Sequence, residues 1–217
     1  GKIIGLLGPN GSGKSTLINL IPRYYDVTKG SVKVDGVDVR DMTQKELRDK
    51  LGYVPQKGVL FSGTIDSNIR YGKPEITDAQ VKEAAEVAQA TEFIDTKPEK
   101  YESPVSQGGT NVSGGQKQRL SIARAIAKDP EIFIFDDSFS ALDFKTDSQL
   151  RKALKEYTKD ATTVIVAQRI STILGADQII VLDDGHMAGI GTHKELMANC
   201  EVYQQIARSQ LSEEELA

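Results

Sequence analysis

Residues 8–15 read GPNGSGKS, a glycine followed by four residues and then Gly-Lys-Ser. An apolar run at 3–7, typical of a buried strand, precedes this stretch, and a helix-like segment at 16–21 follows it. Glycines at this spacing permit a tight turn and a close backbone approach, so that amide groups at a helix start can face a phosphate. The stretch therefore predicts a P-loop that holds the phosphates of a nucleotide, rather than an ordinary glycine-rich loop.

The residue types within this loop suggest separate roles. Lys14 is expected to supply a cation for the β and γ phosphates. Ser15 is expected to offer its hydroxyl to Mg²⁺, with Thr16 assisting from the next position. The predicted ligands are therefore a nucleotide and Mg²⁺. The residues that we expect to contact the nucleotide are Gly8, Asn10, Gly11, Ser12, Gly13, Lys14, Ser15 and Thr16.

A second acidic element follows the apolar run at 132–135. There Asp136 and Asp137 come directly after the predicted strand. A carboxylate in this position often caps a helix or closes a turn. Beside a P-loop, however, it matches the aspartate that completes a magnesium shell, so Asp136 is predicted to be a metal ligand.

Around these two elements the chain alternates strand and helix patterns. Short apolar runs at 3–7, 132–135, 162–166 and 179–182 are typical of buried parallel strands, and 146–157 has one apolar helical stripe. The Asp35-Gly36 pair predicts a small antiparallel hairpin, and 64–127 is mostly helical in character. The predicted fold class is α/β: a P-loop NTPase core with a mostly parallel sheet, a small antiparallel patch and a helical subdomain insert.

Composition excludes several classes of protein. The chain has 217 residues, 39% of them hydrophobic and 27% charged, which is typical of a folded protein. A net charge of −4 argues against nucleic acid as a partner. The single cysteine permits no internal disulfide and favours a reducing cytoplasmic setting. No apolar run approaches the roughly 20 residues that span a bilayer. The two histidines, His186 and His193, are expected to be solvated and without a role.

Residues 111–119, NVSGGQKQR, lie between the P-loop and the acidic strand and precede a helix pattern that stops at Asp129-Pro130. The start of that helix is either an anion site or only a capped structural end. In this order and composition the stretch resembles the signature motif of ATP-binding cassette (ABC) ATPases. Gln56, after GYVP, is similar to the Q-loop glutamine of that family, and 140–143, SALD, is similar to its D-loop.

This resemblance implies a division of the chain and a set of further roles. Residues 1–63 would form the first part of the nucleotide-binding core, 64–127 a helical subdomain ending in the signature helix, and 128–217 the second part of the core with the switch region. Gln56 would contribute to catalysis and, with Ser15 and Asp136, to the metal. Two cassettes would meet head to tail, so that the signature of each closes over ATP held by the other. The signature residues implied are Ser113, Gly114, Gly115 and Gln116.

The resemblance also implies partners and a location. Residues 60–65, LFSGTI, followed by Asn68-Ile69, are similar to exporter cassettes. An exporter cassette works with transmembrane domains at the cytoplasmic face of the cell membrane. Chromosome-type and DNA-repair cassettes need long coiled coils between the P-loop and the signature, and no sustained heptad occurs there.

Three departures from the family pattern bear on catalysis. The catalytic glutamate position holds Asp137, and the switch histidine position holds Gln168. The segment 103–109 lacks the glutamate often found before an exporter signature. The missing glutamate bears on transmission to the transmembrane domains, whereas the two substitutions at catalytic positions favour the degenerate half of a heterodimeric exporter, with impaired hydrolysis at this chain's own site. The alternatives are a homodimeric exporter ATPase that tolerates both residues, and an ATP-sensing module with little turnover.

Overall fold

The computed structural model describes residues 1–212, which pack as two compact units. One unit joins Gly1–Leu51 to the segment that begins at Thr162, and the other is Gly52–Ala161. The strands are β1 (Ile3–Leu7), β2 (Lys33–Val34), β3 (Val37–Asp38), β4 (Leu51–Val54), β5 (Gly63–Thr64), β6 (Pro104–Val105), β7 (Ile132–Asp136), β8 (Thr162–Val166), β9 (Gln178–Asp183) and β10 (His186–Gly191).

The helices follow the same chain order. Short 3₁₀ turns occur at Val39–Asp41, Lys100–Glu102, Gln107–Gly109 and Ile170–Thr172. Across residues 1–212, no helix is both long enough and apolar enough to cross a bilayer. The α-helices are α1 (Lys14–Ile18), α2 (Gln44–Asp49), α3 (Ile65–Ile69), α4 (Asp78–Val87), α5 (Thr91–Asp95), α6 (Gly114–Ala127), α7 (Phe144–Tyr157), α8 (His193–Asn199) and α9 (Glu201–Gln210).

The first unit is built on parallel strands, as the apolar runs predict. β1 lies between β8 and β9 and is parallel to both, with Gly5 opposite Ile165 on one side and Ile179 on the other. β10 then pairs antiparallel with β9. A buried cluster on this sheet includes residues of α8 and α9, among them Leu196 and Tyr203. The P-loop follows β1 directly, so its position is set by a strand paired on both sides.

The predicted hairpin is also present in this unit. β2 and β3 pair antiparallel, with Val34 opposite Val37. The two turn residues, Asp35 and Gly36, have φ values of 51° and 79°, as a two-residue hairpin turn requires. The antiparallel patch is therefore confirmed.

The second unit contains α3 to α7, which include the segment predicted to be mostly helical. β4 and β7 are neighbours in its sheet, and β5 pairs antiparallel with β6. α6 packs against α3 and α4. The mostly helical character expected for 64–127 is confirmed by these helices, while the boundaries at 63 and 127 stay a prediction.

One predicted helix is shorter than expected. The segment 16–21 is helical only to Ile18, within α1. Beyond it the amides of Leu20 and Ile21 donate to carbonyls three residues back, at 3.2 and 3.1 Å, and a turn follows. The cause is Pro22, because a proline disfavours the α conformation in the residue before it.

Candidate functional site

The turn at 8–13 can be formed only with glycine at several positions. A Cβ atom on Gly8 would lie 2.2 Å from the Leu182 carbonyl oxygen and 2.6 Å from the Ser12 Oγ. Gly11 and Gly13 have φ values of +81° and +96°, in the left-handed region that favours glycine. The spacing of glycines in the sequence is therefore a requirement of this backbone path.

A buried cation lies inside the same turn. The Lys14 Nζ donates to the carbonyl oxygens of Gly8 and Pro9 at 2.7 and 2.8 Å. Lys14 is 9% exposed, and it is the first residue of α1. Its positive charge is thus held by the loop's own backbone, at the helix end where the macrodipole is also positive.

The donors of this turn fit a phosphate group. Among the described residues, the buried Ser12 Oγ has no hydrogen-bond partner, and a buried hydroxyl without one is unfavourable. A phosphate oxygen would satisfy it beside the Lys14 charge. Asn10, Gly11, Ser15 and Thr16 are exposed at the surface of the turn, where a ligand can reach them.

In the second unit, β7 ends at Asp136 and Asp137 follows it, and both carboxylates accept hydrogen bonds from side chains in or just after β4. The Tyr53 hydroxyl donates to the Asp136 Oδ2 at 3.3 Å. The Gln56 Nε2 donates to the Asp137 Oδ2 at 3.0 Å. The structure therefore brings together Gln56 and Asp137, two of the predicted catalytic residues.

Asp137 itself has an unusual backbone. Its φ is 48°, in the left-handed region, which aspartate and asparagine adopt more readily than longer side chains. The neighbouring Ser138 is buried, and its Oγ donates to the Val54 carbonyl at 2.8 Å. The Ser140 Oγ donates to the Asp137 carbonyl at 3.0 Å. These bonds fix the direction of a carboxylate that is one methylene shorter than a glutamate.

The backbone on both sides of Gln56 is held by a residue of the signature helix. Gln118 is 1% exposed. Its Nε2 donates to the Pro55 carbonyl at 3.0 Å, and its Oε1 accepts from the Gly58 amide at 2.8 Å. Sequence reasoning quoted Gln118 within the signature but gave it no role, and it gave none to Tyr53 or Ser138. Gln118 is a polar residue on the apolar face of α6, and that position in the sequence could have indicated a buried hydrogen-bonding role.

The signature residues form the start of α6. Ser113 is the N-cap: its Oγ accepts from the Gln116 amide at 3.2 Å, and the Gln116 Oε1 accepts from the Ser113 amide at 3.1 Å. A Cβ on Gly114 would meet nothing within 4 Å, and one on Gly115 would lie 3.6 Å from the Ala141 carbonyl. Neither glycine is therefore required by the packing of this chain.

The D-loop-like segment adjoins this helix start through Ala141 and ends in a capping residue. Asp143 accepts from the Thr146 amide at 2.9 Å and from the Thr146 hydroxyl at 2.7 Å, which begins α7. These hydrogen bonds hold the pKa of Asp143 below its usual value, so this exposed carboxylate is charged at neutral pH.

Gln168 and the histidines lie in the first unit. Gln168 follows β8 by two residues, and its side chain is exposed. His186 is exposed, as expected. The expectation for His193 is wrong, because its ring is half-buried and its Nδ1 forms a 2.7 Å hydrogen bond with the hydroxyl of the buried Tyr203. Packing of α8 against α9 draws this histidine inward.

The oxygen donors predicted for magnesium have suitable chemistry. They are the Ser15 hydroxyl, the Gln56 amide oxygen and the Asp136 carboxylate. Within the part of the chain that the structure describes, no cluster of three or more His, Cys, Asp or Glu could hold a metal ion. A nucleotide-bound Mg²⁺ needs only one or two protein carboxylates because phosphates and water supply the remaining oxygens. Each of these oxygen donors is therefore of a kind that Mg²⁺ accepts.

Comparison with known proteins connects these features to a family. Residues 1–140 match the family model described as ABC transporter. An uncharacterised ABC transporter ATP-binding protein of Mycobacterium bovis is 48% identical over 213 residues, which are 97% of this chain and 36% of that protein. A protein of Staphylococcus aureus named as a multidrug export ATP-binding/permease protein is 47% identical over 206 residues, 95% of this chain and 36% of that protein.

A solved structure gives the same result. The structure of a bacterial Atm1-family ABC exporter with ATP bound superposes with a TM-score of 0.93 at 39% identity, covering 98% of this chain and 37% of that one. The chain thus spans little more than a third of the length of these relatives. Its α/β fold, with a mostly parallel sheet and small antiparallel sheets, is that of an ABC ATPase. On the family match and these similarities, the chain belongs to the ABC transporter family and is an ATP-binding domain of it.

Proposed function

We propose that this chain is the cassette of an exporter that binds ATP with Mg²⁺ and hydrolyses it to power transport. The observation that carries the proposal is the buried ammonium of Lys14, fixed at 2.7 and 2.8 Å by carbonyls of a turn that only glycine can form. Such a charge, combined with backbone amides, is suited to the phosphates of a nucleotide. The Staphylococcus aureus relative, which is named as a multidrug export protein and is 47% identical, supports the transport role.

The residue roles follow from the chemistry of each side chain. Gly8, Gly11 and Gly13 shape the turn, and Lys14 carries the charge that opposes the β and γ phosphates. Ser15, Gln56 and Asp136 would hold Mg²⁺, which supplies neutralisation of phosphate charge when bound. Asn10, Ser12, Ser15 and Thr16 complete the set of groups proposed to contact the nucleotide.

The chain's own site is proposed to turn over slowly. Asp137 carries its carboxylate about 1.5 Å short of a glutamate's position, and misplacement of this size can lower a rate about 10²-fold. The hydrogen bond from Gln56 at 3.0 Å further restricts its direction. Gln168 can donate a hydrogen bond to phosphate but cannot carry the charge of an imidazolium. These two substitutions support a degenerate subunit.

The partners are proposed on different grounds. A Cβ on Gly114 would meet nothing in this chain, which leaves room there for a group from outside it. We propose that this is ATP on the P-loop of a second, different cassette in a head-to-tail dimer, with Ser113, Gly115 and Gln116 at the same contact. The relatives are almost three times as long, and one is named as a combined ATP-binding and permease protein. This supports transmembrane domains as partners and a location at the cytoplasmic face of the membrane, without nucleic acid.

The P-loop assignment is tested by Lys14→Ala in the assembled transporter. Removing the ammonium leaves the phosphate charge opposed only by amides and Mg²⁺, so calorimetric titration with Mg-ATP should show the loss of one binding site. Lys29→Ala, at an exposed lysine of the same unit, is the control and should bind as the unaltered protein does. Unchanged stoichiometry and affinity in Lys14→Ala would refute the assignment.

A further inference from the structure

The loop that carries Gln168 is held from outside by one residue of the C-terminal helix. Gln210 is the last residue of α9. Its Nε2 donates to the Gln168 carbonyl at 2.8 Å, and its Oε1 accepts from the Ile170 amide, also at 2.8 Å. A backbone carbonyl can only accept and an amide can only donate, so these two partners fix the orientation of the Gln210 amide.

The two hydrogen bonds of Gln210 resemble those that a neighbouring parallel strand would make to this loop. The residue between the two bonds, Arg169, has extended backbone with φ −106° and ψ 126°. One side-chain amide thus bonds the carbonyl before it and the amide after it, as an adjacent strand would. The chain leaves β8 at Val166, and the contact holds the bend at Gln168 and Arg169 that precedes the 3₁₀ turn at Ile170–Thr172.

Both ends of the contact are anchored in one buried cluster. On α9, Tyr203 and Ala207 are fully buried, and beyond the Gln168 loop Ile170 and Ile173 are buried in the same cluster. The side chains of Gln168 and Arg169 are exposed and have no such anchor. Their position therefore depends on the backbone that Gln210 holds.

We infer that Gln210 is a positioning residue of the nucleotide site: it holds the loop backbone so that the Gln168 side chain is presented to the nucleotide's γ-phosphate. This inference rests on the proposed function for the role of Gln168, whereas the contact itself does not. α9 would then support catalysis through the loop that it holds. A simple helix end would need neither of the two bonds to a loop some 40 residues earlier.

The contact is tested by hydrogen–deuterium exchange of the loop in the assembled transporter. Gln210→Ala should speed exchange of the Ile170 amide about tenfold, because the acceptor of that amide is lost. Gln210→Glu keeps an acceptor for Ile170 but turns a carboxylate oxygen toward the Gln168 carbonyl, so it should loosen the loop as well. Gln205→Ala changes an exposed glutamine of the same helix and should leave the exchange as it is. Unchanged exchange in Gln210→Ala would overturn the inference.

The positioning role is tested by single-turnover hydrolysis at this chain's site, which measures even a slow site. Gln210→Ala should lower the hydrolysis rate constant about fivefold to tenfold, while the affinity for Mg-ATP stays within twofold. Retained ATP binding shows that the unit is folded, so a lower rate cannot be attributed to misfolding. Faster amide exchange with an unchanged rate constant would overturn the positioning role. The Lys14→Ala titration tests the proposed function, and the Gln210→Ala rate constant tests this inference. Failure of one is therefore distinguishable from failure of the other.

Discussion

Two loops of this chain, one in each unit, are held by a glutamine in the same way but at different depths. Gln118 bonds the backbone on both sides of Gln56 and is 1% exposed, whereas Gln210 bonds the backbone after Gln168 from the exposed end of a helix. Behind the first loop, a Cβ on Gly58 would lie 2.7 Å from the Lys117 carbonyl, so packing holds that loop as well. From this difference in burial we expect the same type of contact to stabilise the fold at Gln118 and mainly to position a loop at Gln210.

The largest expected effect concerns the unit that contains Gln118 and the signature. Ser113→Arg places a bulky cation where a helix start is proposed to meet the partner's ATP, so ATPase and transport of the assembled protein should fall at least about 100-fold. Asp137→Asn should have a much milder effect, because that carboxylate is already poorly placed. Both are measured in the full transporter. Equal damage from the two changes would mean that this chain is catalytic in its own right, which would favour the homodimer alternative.

Because Gln118 is buried and Gln210 is exposed, replacing Gln118 should lower the free energy of unfolding more than replacing Gln210 does. Gln118→Leu leaves the partly buried Pro55 carbonyl and Gly58 amide facing an apolar side chain without partners and should lower the free energy of unfolding by about 2–4 kcal/mol. Gln210→Leu exposes its partners to water and should cost less than about 1 kcal/mol. Denaturant unfolding is the measurement, and Gln149→Leu, on the exposed side of α7, is the control. Similar losses from both changes would show that depth does not decide the outcome.

The smallest of these effects concerns the catalytic positions that the two loops serve. Asp137→Glu with Gln168→His restores the longer carboxylate and an imidazole, and turnover at this chain's site should rise at least about tenfold. The φ of 48° at residue 137 opposes glutamate modestly, so the gain falls below the full 10²-fold expected from reach alone. Rates are compared under single-turnover conditions. No increase would argue that the site is not degenerate.

Sequence patterns predicted much of this fold because they report local requirements. The glycines of the P-loop, the strand that ends at Asp136 and the Asp35-Gly36 turn are each determined by a few neighbouring residues. The contacts of Gln118 and Gln210 join segments about 60 and 40 residues apart in the chain, and a glutamine has no periodicity that points to its partner. His193 was misjudged for the same reason, since Tyr203 belongs to the next helix.

Both loops are held by glutamine side chains, which affects how they respond to pH and to salt. Gln56, Gln118, Gln168 and Gln210 have no ionisable group, and hydrogen bonds between neutral groups are far less sensitive to ionic strength than ion pairs are. A histidine at position 168 would gain and lose a charge near physiological acidity, whereas the glutamine there does not. The bonds that Gln118 and Gln210 make to the backbone of the two loops are therefore insensitive to cellular acidification and to salt concentration, whereas the bond from Gln56 ends on the Asp137 carboxylate and is not.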